Sequence, residues 1–455
     1  MKLNSIKYIV VLAVSLLSAC EIEDQVNPNN AVLEDILANA SKTDLNNLVA
    51  GSIYNLRASH DVYVTSTGTV ARELYLFDAD PRNLTDLLGF DSEGKPTDLD
   101  GNTYYTTAPW NDRYQTIKNL NILEQALINA QPDVTEAEKD GYRALLNTLK
   151  AHQYLMLINA QYQNGIRLDV SDPDNLGPIV KDVSLVYDFI LDLLDEGLSN
   201  LNSAEFAFSL PSGFDGFDTP SSFAEFNRAL YARVSLYDDA NQNALDALSE
   251  SFFSLSSDIS VGPKMDYSLI GSDLSNNLFK TPQQNGDQII VNDGVIADAE
   301  DGDLRIQEKI VLREVPNSQG GTNGAYETSL YEGANSSIDI IRNEELILIY
   351  AEANIRLNNL SSGIEALNVI RQSAGLPTLD IAKPDIVNDQ AALLEEVLRQ
   401  RRYSFWGEGH FMVDLRRFGE LNENSEFVDV DVIIKGEEEM PQEIFMMFPV
   451  PTTEN

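Results

Sequence analysis

Few residues in this chain have both the type and the spacing that catalysis or metal binding requires. His60, His152 and His410 lie far apart in the sequence and show no metal-ligand spacing. No H-E-x-x-H, G-x-S-x-G or phosphate-binding glycine motif occurs. The 72 acidic residues could supply the carboxylate pair of a glycan hydrolase, but their number does not show that any two face each other. The sequence therefore predicts no catalytic residues and no cofactor, and favours a protein that acts by binding.

Three oxygen-rich loops, at residues 98–102, 172–175 and 300–303, could each contribute ligands to a calcium ion. Calcium takes six to eight oxygen ligands, and none of these loops completes the twelve-residue pattern that ends in Glu. Acidic loops of this kind are more often simply solvated. We therefore predict no metal site.

Aromatic residues in loop-rich regions are the stronger candidates for ligand binding. A carbohydrate binder needs flat aromatic faces for stacking and polar groups that orient the sugar hydroxyls. The candidate ligand-binding residues are Tyr75, Asp78, Tyr104, Tyr105, Trp110, Tyr326 and Tyr331. Trp110 opens a predicted helix, a position that suits a core residue as well as a ligand contact. The pattern is compatible with an oligosaccharide or a peptide.

Composition excludes one large class of partner. The 455 residues include 31 Lys and Arg against 72 Asp and Glu, which gives a formal charge of −41. Nucleic-acid affinity depends on clustered basic residues that displace counterions from phosphates, so DNA and RNA are excluded as partners. The single cysteine, Cys20, rules out an intramolecular disulfide.

The N-terminus has the layout of an export signal. Two lysines precede an apolar run that is too short for a permanent membrane helix, so residues 1–19 are predicted to be a signal peptide. Residues 17–20, Leu-Ser-Ala-Cys, resemble a bacterial lipobox, which implies lipid attachment at Cys20. The acidic residues that follow resemble the surface-export signal of Bacteroidetes lipoproteins. Residues 20–30 are predicted to be the lipidated cysteine and a polar tether.

Helical periodicity dominates the rest of the chain, and residues 31–455 are predicted to form one domain. The helical scaffold is expected at about 31–58, 110–250 and 338–420, with loop-rich insertions at 59–109 and 254–337 and a C-terminal segment at 421–455. Short strands are expected in the second insertion, for example at residues 306–312.

Two helical pairs show small residues at matching positions. Ala232 and Ala244 lie twelve residues apart around a polar turn, and so do Ala351 and Gly363. A small residue on each helix allows close packing, as in tetratricopeptide repeats. Ala151 is assigned to a third pair whose second helix is displaced by the loop at 163–183. The predicted fold class is mainly α, a tetratricopeptide-like scaffold with long insertions.

The segment at residues 399–419, RQRRYSFWGEGHFMVDLRRFG, combines a basic pair, aromatic residues, Glu-Gly and Asp-Leu-Arg-Arg-Phe-Gly. Together with residues 341–376 and the Phe-Pro-Val-Pro stretch at 448–451, it resembles the SusD/RagB family of Bacteroidetes outer-membrane lipoproteins. Gln400 and Ser404 stand where that family more often has Glu, which puts local ion pairs in question. From the residues alone, the charges of this segment are expected to form structural ion pairs covered by aromatic rings.

The resemblance implies a function. A SusD/RagB protein is expected to be anchored by lipid in the outer membrane, to face the cell exterior, and to bind a nutrient, most often an oligosaccharide. It is expected to deliver that ligand to a SusC-like TonB-dependent transporter. The alternatives are a lipid-anchored tetratricopeptide scaffold for protein–protein interaction and, with less support, a glycan hydrolase.

Overall fold

This computed structural model describes residues 33–271, 273–430, 433–435 and 438–454. The predicted signal peptide, Cys20 and the tether lie outside the described residues. Helices of the N-terminal half are α1 (Leu33–Asn39), α2 (Lys42–Asn55), α3 (His60–Val70), α4 (Arg82–Leu88), α5 (Tyr104–Ile128), α6 (Glu136–Gln161), α7 (Val183–Leu201), α8 (Pro220–Tyr237) and α9 (Asn241–Leu248). Helices of the C-terminal half are α10 (Asp293–Ala297), α11 (Leu304–Lys309), α12 (Asn343–Arg356), α13 (Leu360–Ser373), α14 (Leu379–Ala382), α15 (Gln390–Ser404) and α16 (Phe411–Phe418).

The strands are short and fewer than the helices, and the fold is mainly α, as predicted. They are β1 (Leu74–Phe77), β2 (Ile166–Arg167), β3 (Ile179–Val180), β4 (Lys264–Met265), β5 (Gln288–Val291), β6 (Ile310–Gln319), β7 (Thr322–Thr328), β8 (Ile338–Asp339), β9 (Ile434–Lys435) and β10 (Glu438–Glu439). No helix in the described part of the chain combines the length and the apolar character needed to cross a membrane.

Side-chain caps fix the start of several scaffold helices. Ser41 precedes α2 and Thr135 precedes α6, and each forms a capping box with the acidic residue three positions later. Such a box satisfies backbone N–H groups that the first helical turn leaves without partners. Helices that are neighbours along the chain pack against each other, α6 against α7, α8 against α9 and α12 against α13.

The small residues of the predicted pairs lie where the helices touch. Ala232, Ala244 and Ala351 are fully buried, and a Cβ placed on Gly363 would lie 2.4 Å from Cγ1 of Ile355 and 3.1 Å from the Ala351 carbonyl. The close approach of α12 and α13 therefore depends on the absence of a side chain at this position.

The third pair is α6 with α7, which follows the loop at 163–183. Ala151 lies within α6 and is buried. A Cβ on Gly197 of α7 would lie 3.0 Å from Thr148 Oγ1 and 3.4 Å from the Ala144 carbonyl. The close approach of these two helices therefore also depends on a small residue.

The two predicted insertions share a four-stranded antiparallel sheet in the order β1-β5-β7-β6. Strand β1 comes from the first insertion and pairs with β5 of the second, with Tyr75 opposite Ile290. The prediction of a strand at 306–312 is wrong in its first half, because residues 304–309 form α11 and the strand begins at Ile310.

The first insertion is more regular than its sequence indicates. Helix α3 lies within it, and α5 begins at Tyr104 rather than at Trp110. Nearly every residue of α3 is buried, so no polar face marks a helical period. Its hydroxyl side chains bond back to carbonyls four residues earlier, as Ser66 Oγ does to Val62 at 2.7 Å, and this lets polar residues stand in a buried helix.

Buried ion pairs hold the 399–419 segment in place, as predicted. Arg401 Nε lies 2.8 Å from Asp414 Oδ2, and Arg417 pairs with both Asp414 and Glu352. All four side chains are at least nine-tenths buried. Buried charges of this kind are costly unless paired, so these contacts specify one arrangement of α12, α15 and α16.

Gln400 and Ser404, the two neutral residues at positions where Glu was expected, accept hydrogen bonds from an arginine. Arg305 of α11 pairs with Asp303 at 2.7 Å, and it donates hydrogen bonds to Gln400 Oε1 and Ser404 Oγ. The neutral side chains therefore accept from an arginine whose charge is already compensated, and no further carboxylate is needed.

Glu73 is a buried acid beside the same segment. Burial raises its pKa to about 8, although Gly407 N donates to its Oε1 and Arg402 lies nearby. A folded-state pKa above the ordinary 4.5 means that ionisation opposes folding, so stability is lost as pH rises from about 4.5 through 8.

Replacing Gly363 by Ala should lower the free energy of unfolding by about 1–2 kcal/mol, because the new methyl group overpacks the α12/α13 contact. Urea unfolding followed by circular dichroism measures this. Gly51→Ala in α2 is the matched control, because a Cβ there meets nothing within 4 Å. This substitution should raise the free energy of unfolding by up to about 1 kcal/mol, because Ala has a higher helix propensity than Gly. Equal effects at the two positions would contradict the proposed close packing.

Glu73→Gln should remove part of the alkaline loss of stability, because the amide keeps the acceptor for Gly407 N but cannot ionise. The two proteins should be similar near pH 5. The variant should then become more stable than the unaltered protein by up to about 1.4 kcal/mol per pH unit as the pH rises to about 8, and the difference should level off above pH 8. Thermal unfolding across this range tests it. A parallel decline of both proteins would exclude Glu73 as the cause.

Candidate functional site

A cavity of about 550 Å³ lies between the two insertions. We call it the acidic pocket, and its polar lining residues are Asp61, Thr65, Ser66, Asp78, Asn83, Tyr104, Tyr105, Asn276, Asn277, Lys280 and Asp287. Its walls come from the start of α3, the end of β1, α4, the start of α5 and the 276–287 loop. The pocket therefore exists only because the two insertions fold against each other.

Tyr104 gives the pocket an accessible aromatic side chain. It is the first residue of α5, directly after the N-cap Thr103, and 57% of it is exposed. Burial of the remainder, with the charge of Asp61 nearby, raises the pKa of its hydroxyl, which therefore stays protonated at neutral pH. A ring of this kind can stack on a sugar or another planar group.

Asp78 is oriented by its own loop. Its Oδ1 accepts from Asp80 N at 2.9 Å, and its Oδ2 accepts from Asn83 Nδ2 at 2.7 Å. Partial burial raises the pKa of this carboxyl above its usual range. Because hydrogen bonds from Asp80 and Asn83 hold both oxygens, the carboxylate of Asp78 faces the cavity in a fixed orientation.

The opposite wall carries amide groups and one ion pair. Asn277 Nδ2 donates to Asp61 Oδ2 at 3.2 Å, which joins the 276–287 loop to α3. Lys280 Nζ lies 2.6 Å from Asp287 Oδ1, so its charge is compensated within the wall. Three carboxylates and one ammonium line the pocket, which leaves two negative charges in excess. This balance disfavours an anionic ligand.

Three of the predicted ligand-binding residues meet in this pocket. Asp78 and Tyr104 present groups to it, as described above. Tyr105 also lines the pocket, but only 2% of it is exposed. Its hydroxyl accepts from Asp100 N at 2.8 Å and donates to Asp86 Oδ2 at 3.3 Å, so its polar atom is already used in the fold.

The other four predicted residues lie elsewhere. Tyr75 and Trp110 are 1% and 2% exposed, and both are core residues. Tyr75 accepts a hydrogen bond from Asn292, while Trp110 packs at 4.8 Å from Tyr114 beside a separate cavity. Tyr326 and Tyr331 are partly buried against the main core and do not line the acidic pocket. For these residues the sequence showed aromatic character but not burial.

The three histidines, distant in sequence, surround one small internal cavity of about 30 Å³. Burial lowers the pKa of His60 to about 3 and that of His410 to about 4, and it holds the pKa of His152 well below the usual range. All three are neutral at pH 7. Throughout the described ranges, no group of three or more His, Cys, Asp or Glu is arranged to hold a metal ion.

The acidic loop at 300–303 has a structural role. Burial opposes ionisation of Glu300, but hydrogen bonds from Arg371 and Lys383 lower its pKa to about 2. Arg371 Nη1 and Lys383 Nζ each lie 2.7 Å from Glu300 Oε1. The carboxylate of Glu300 therefore joins the 300–303 loop to Arg371 of α13 and to Lys383.

Comparisons with known proteins identify the relatives of this fold. The sequence model of the SusD family matches residues 277–453, a range that contains the 399–419 segment and the Phe-Pro-Val-Pro stretch. This C-terminal part of the chain is therefore similar to the SusD family. No curated protein matches its sequence significantly.

Solved SusD structures share the architecture over nearly their whole length. A SusD superfamily protein from Parabacteroides distasonis has 17% identity and a TM-score of 0.66, with 91% of this chain and 96% of that chain covered. Surface glycan-binding protein A from Bacteroides thetaiotaomicron, in complex with laminarihexaose, has 15% identity and a TM-score of 0.64, with 91% and 97% covered. Similarity at these identities establishes the fold.

Several residues of the acidic pocket carried no signal in the sequence. Asp61 stands in a buried helix that was not predicted, and Asn276, Asn277 and Lys280 stand in a polar loop without periodicity. Their proximity to Tyr104 is created by the sheet between the insertions. Predicting this proximity would have required a prediction that β1 pairs with β5.

Proposed function

We propose that this protein captures an oligosaccharide at the cell surface in the acidic pocket and delivers it to a SusC-like TonB-dependent outer-membrane transporter. The observation that carries the proposal is the pocket itself. An exposed tyrosine ring stands beside fixed carboxylate and amide groups in a cavity of about 550 Å³. Stacking faces combined with oriented hydrogen-bonding groups are what hydroxyl-rich ligands require.

The match to the SusD family model supports the same proposal. A relative with the same fold, surface glycan-binding protein A, has been solved in complex with laminarihexaose. A neutral glucan is also compatible with the charge of the acidic pocket, since two excess carboxylates disfavour an anionic chain. The protein acts by binding, and a peptide remains the alternative ligand.

The anchor and the partner follow from the N-terminus and the family. Lipidation at Cys20, followed by the tether at residues 21–30, would place the binding domain on the outer membrane facing the cell exterior. The transporter would receive the ligand there. Labelling with a radioactive fatty acid, with Cys20→Ala as the unlabelled control, tests the anchor.

Tyr104→Ala should weaken oligosaccharide binding by about tenfold or more, because an aromatic stacking contact is lost without disturbing the core. Isothermal titration against a panel of neutral oligosaccharides measures the effect. Tyr54→Ala is the matched control, since Tyr54 is 37% exposed and lies outside the acidic pocket. If the unaltered protein gives no binding heat with any of the glycans or peptides tested, this result would instead favour the scaffold function.

Neutral oligosaccharides should bind at least about tenfold more tightly than uronate oligosaccharides of the same length at low salt, and added salt should narrow the difference. Asp78→Asn should also reduce this difference in affinity between neutral and uronate oligosaccharides, because it removes one of the charges that repel the uronate. Asp192→Asn, at an exposed position on α7, should leave the ratio unchanged. Preference for the uronate chain in the unaltered protein would contradict the role of the acidic pocket.

A further inference from the structure

A second cavity, of about 420 Å³, lies where four scaffold helices end. The C-terminal ends of α6, α8, α12 and α16 meet there, together with the first turn of α7. We call it the arginine–tyrosine cleft, and its polar lining includes Tyr162, Tyr187, Tyr237, Asp238, Asp239 and Arg416. It shares no lining residue with the acidic pocket.

Arg416 is a buried cation without an anion. Only 8% of it is exposed, and within the described residues it forms no ion pair. Its Nη1 and Nη2 donate to the carbonyls of Met446 at 3.1 Å and Asn159 at 2.9 Å, and its guanidinium lies 4.2 Å from the centre of the Tyr162 ring. Its Nε makes no hydrogen bond with any described residue. A buried guanidinium normally has a carboxylate partner.

The neighbouring arginines show the contrast. Arg356 and Arg417 also line the cleft, and both are paired with Glu352. Each of these two arginines therefore has a carboxylate partner within the protein. Arg416 is the cation of this cleft whose charge remains available to a ligand.

The cleft also carries carboxylates without cations. Asp238 accepts from Ser184 Oγ at 3.2 Å, and Asp239 accepts from Asn241 Nδ2 at 2.9 Å. Neither acid forms an ion pair in the part of the chain that the structure describes. Arg416 and Asp238 thus line one cavity with opposite charges that do not meet. The helix C-termini add further negative potential on the acidic side.

Three tyrosine hydroxyls complete the polar lining. Tyr187 and Tyr237 are 5% and 8% exposed, and Tyr162 is partly buried. None of the three hydroxyls makes a hydrogen bond with a described residue. These hydroxyls are therefore available to a ligand in the cleft, beside the guanidinium of Arg416. Val183 and Leu236 supply apolar surface in the same cavity.

We propose that the arginine–tyrosine cleft binds a small zwitterion of the free amino acid class with an apolar side chain. Arg416 Nε and the tyrosine hydroxyls receive the ligand carboxylate, and Asp238 and Asp239 receive its ammonium group. The apolar side chain lies against Val183 and Leu236. This ligand satisfies both signs of charge at once, whereas a simple anion would face the two aspartates.

Titration calorimetry of the full chain with L-phenylalanine, N-acetyl-L-phenylalanine and L-phenylalaninamide tests the proposal. The free amino acid should bind at least about tenfold more tightly than either blocked form, because each block removes one charge-assisted contact. Tyr187→Phe, which keeps the shape of the cleft, should weaken binding of the free amino acid severalfold. Asp238→Asn should reduce the discrimination against the acetylated form.

Tyr104→Ala is the control that separates this site from the acidic pocket, since it should leave amino acid binding unchanged while oligosaccharide binding is weakened. Equal affinity for blocked and free forms, or no saturable binding of L-phenylalanine at millimolar concentration, would overturn the proposal and show that Arg416 serves only the helix ends. Either result leaves the oligosaccharide function to be judged on its own titration.

Discussion

The buried ion pair between Arg401 and Asp414 is the constraint on which the rest of the structure depends. It fixes α15 against α16, and the short connection between these helices then lies against α3. Tyr63 of α3 donates to the Gly409 carbonyl at 3.3 Å, and a Cβ on Gly409 would lie 2.9 Å from the Tyr63 ring. Because Asp61 stands two residues earlier on α3, the ion pair indirectly positions a wall of the acidic pocket.

The same connection also positions the other wall. Trp406 Nε1 and Gly407 N donate to Glu73, at 3.4 Å and 3.3 Å, directly before β1. Strand β1 leads to Asp78, which faces the cavity. The segment at 399–419 therefore contains no ligand contact of the acidic pocket, yet two of the pocket walls rest on it. Its charged residues are structural in the sense that a buried network permits one arrangement only.

The scaffold itself uses a simpler device. Gly363 lets α12 and α13 approach closely, and Gly197 does the same for α7 and α6. The ends of α6, α8 and α12 surround Arg416, which is buried without a carboxylate partner among the described residues. The acidic pocket between the insertions and the mixed-charge cleft at the helix ends thus differ in the charges that they offer a ligand.

The sequence by itself determined the helical pairs, because small residues and apolar periods are local patterns that survive in any context. It also showed the similarity to the SusD family, because the 399–419 segment combines residue types in an unusual pattern and lies within the range that the family model matches. Only the tertiary structure decided which aromatics are accessible, since Tyr75 and Tyr104 look alike in sequence and differ entirely in burial. Burial and the meeting of Asp61 with Asn277 depend on long-range pairing of β1 with β5, and no local pattern encodes that contact.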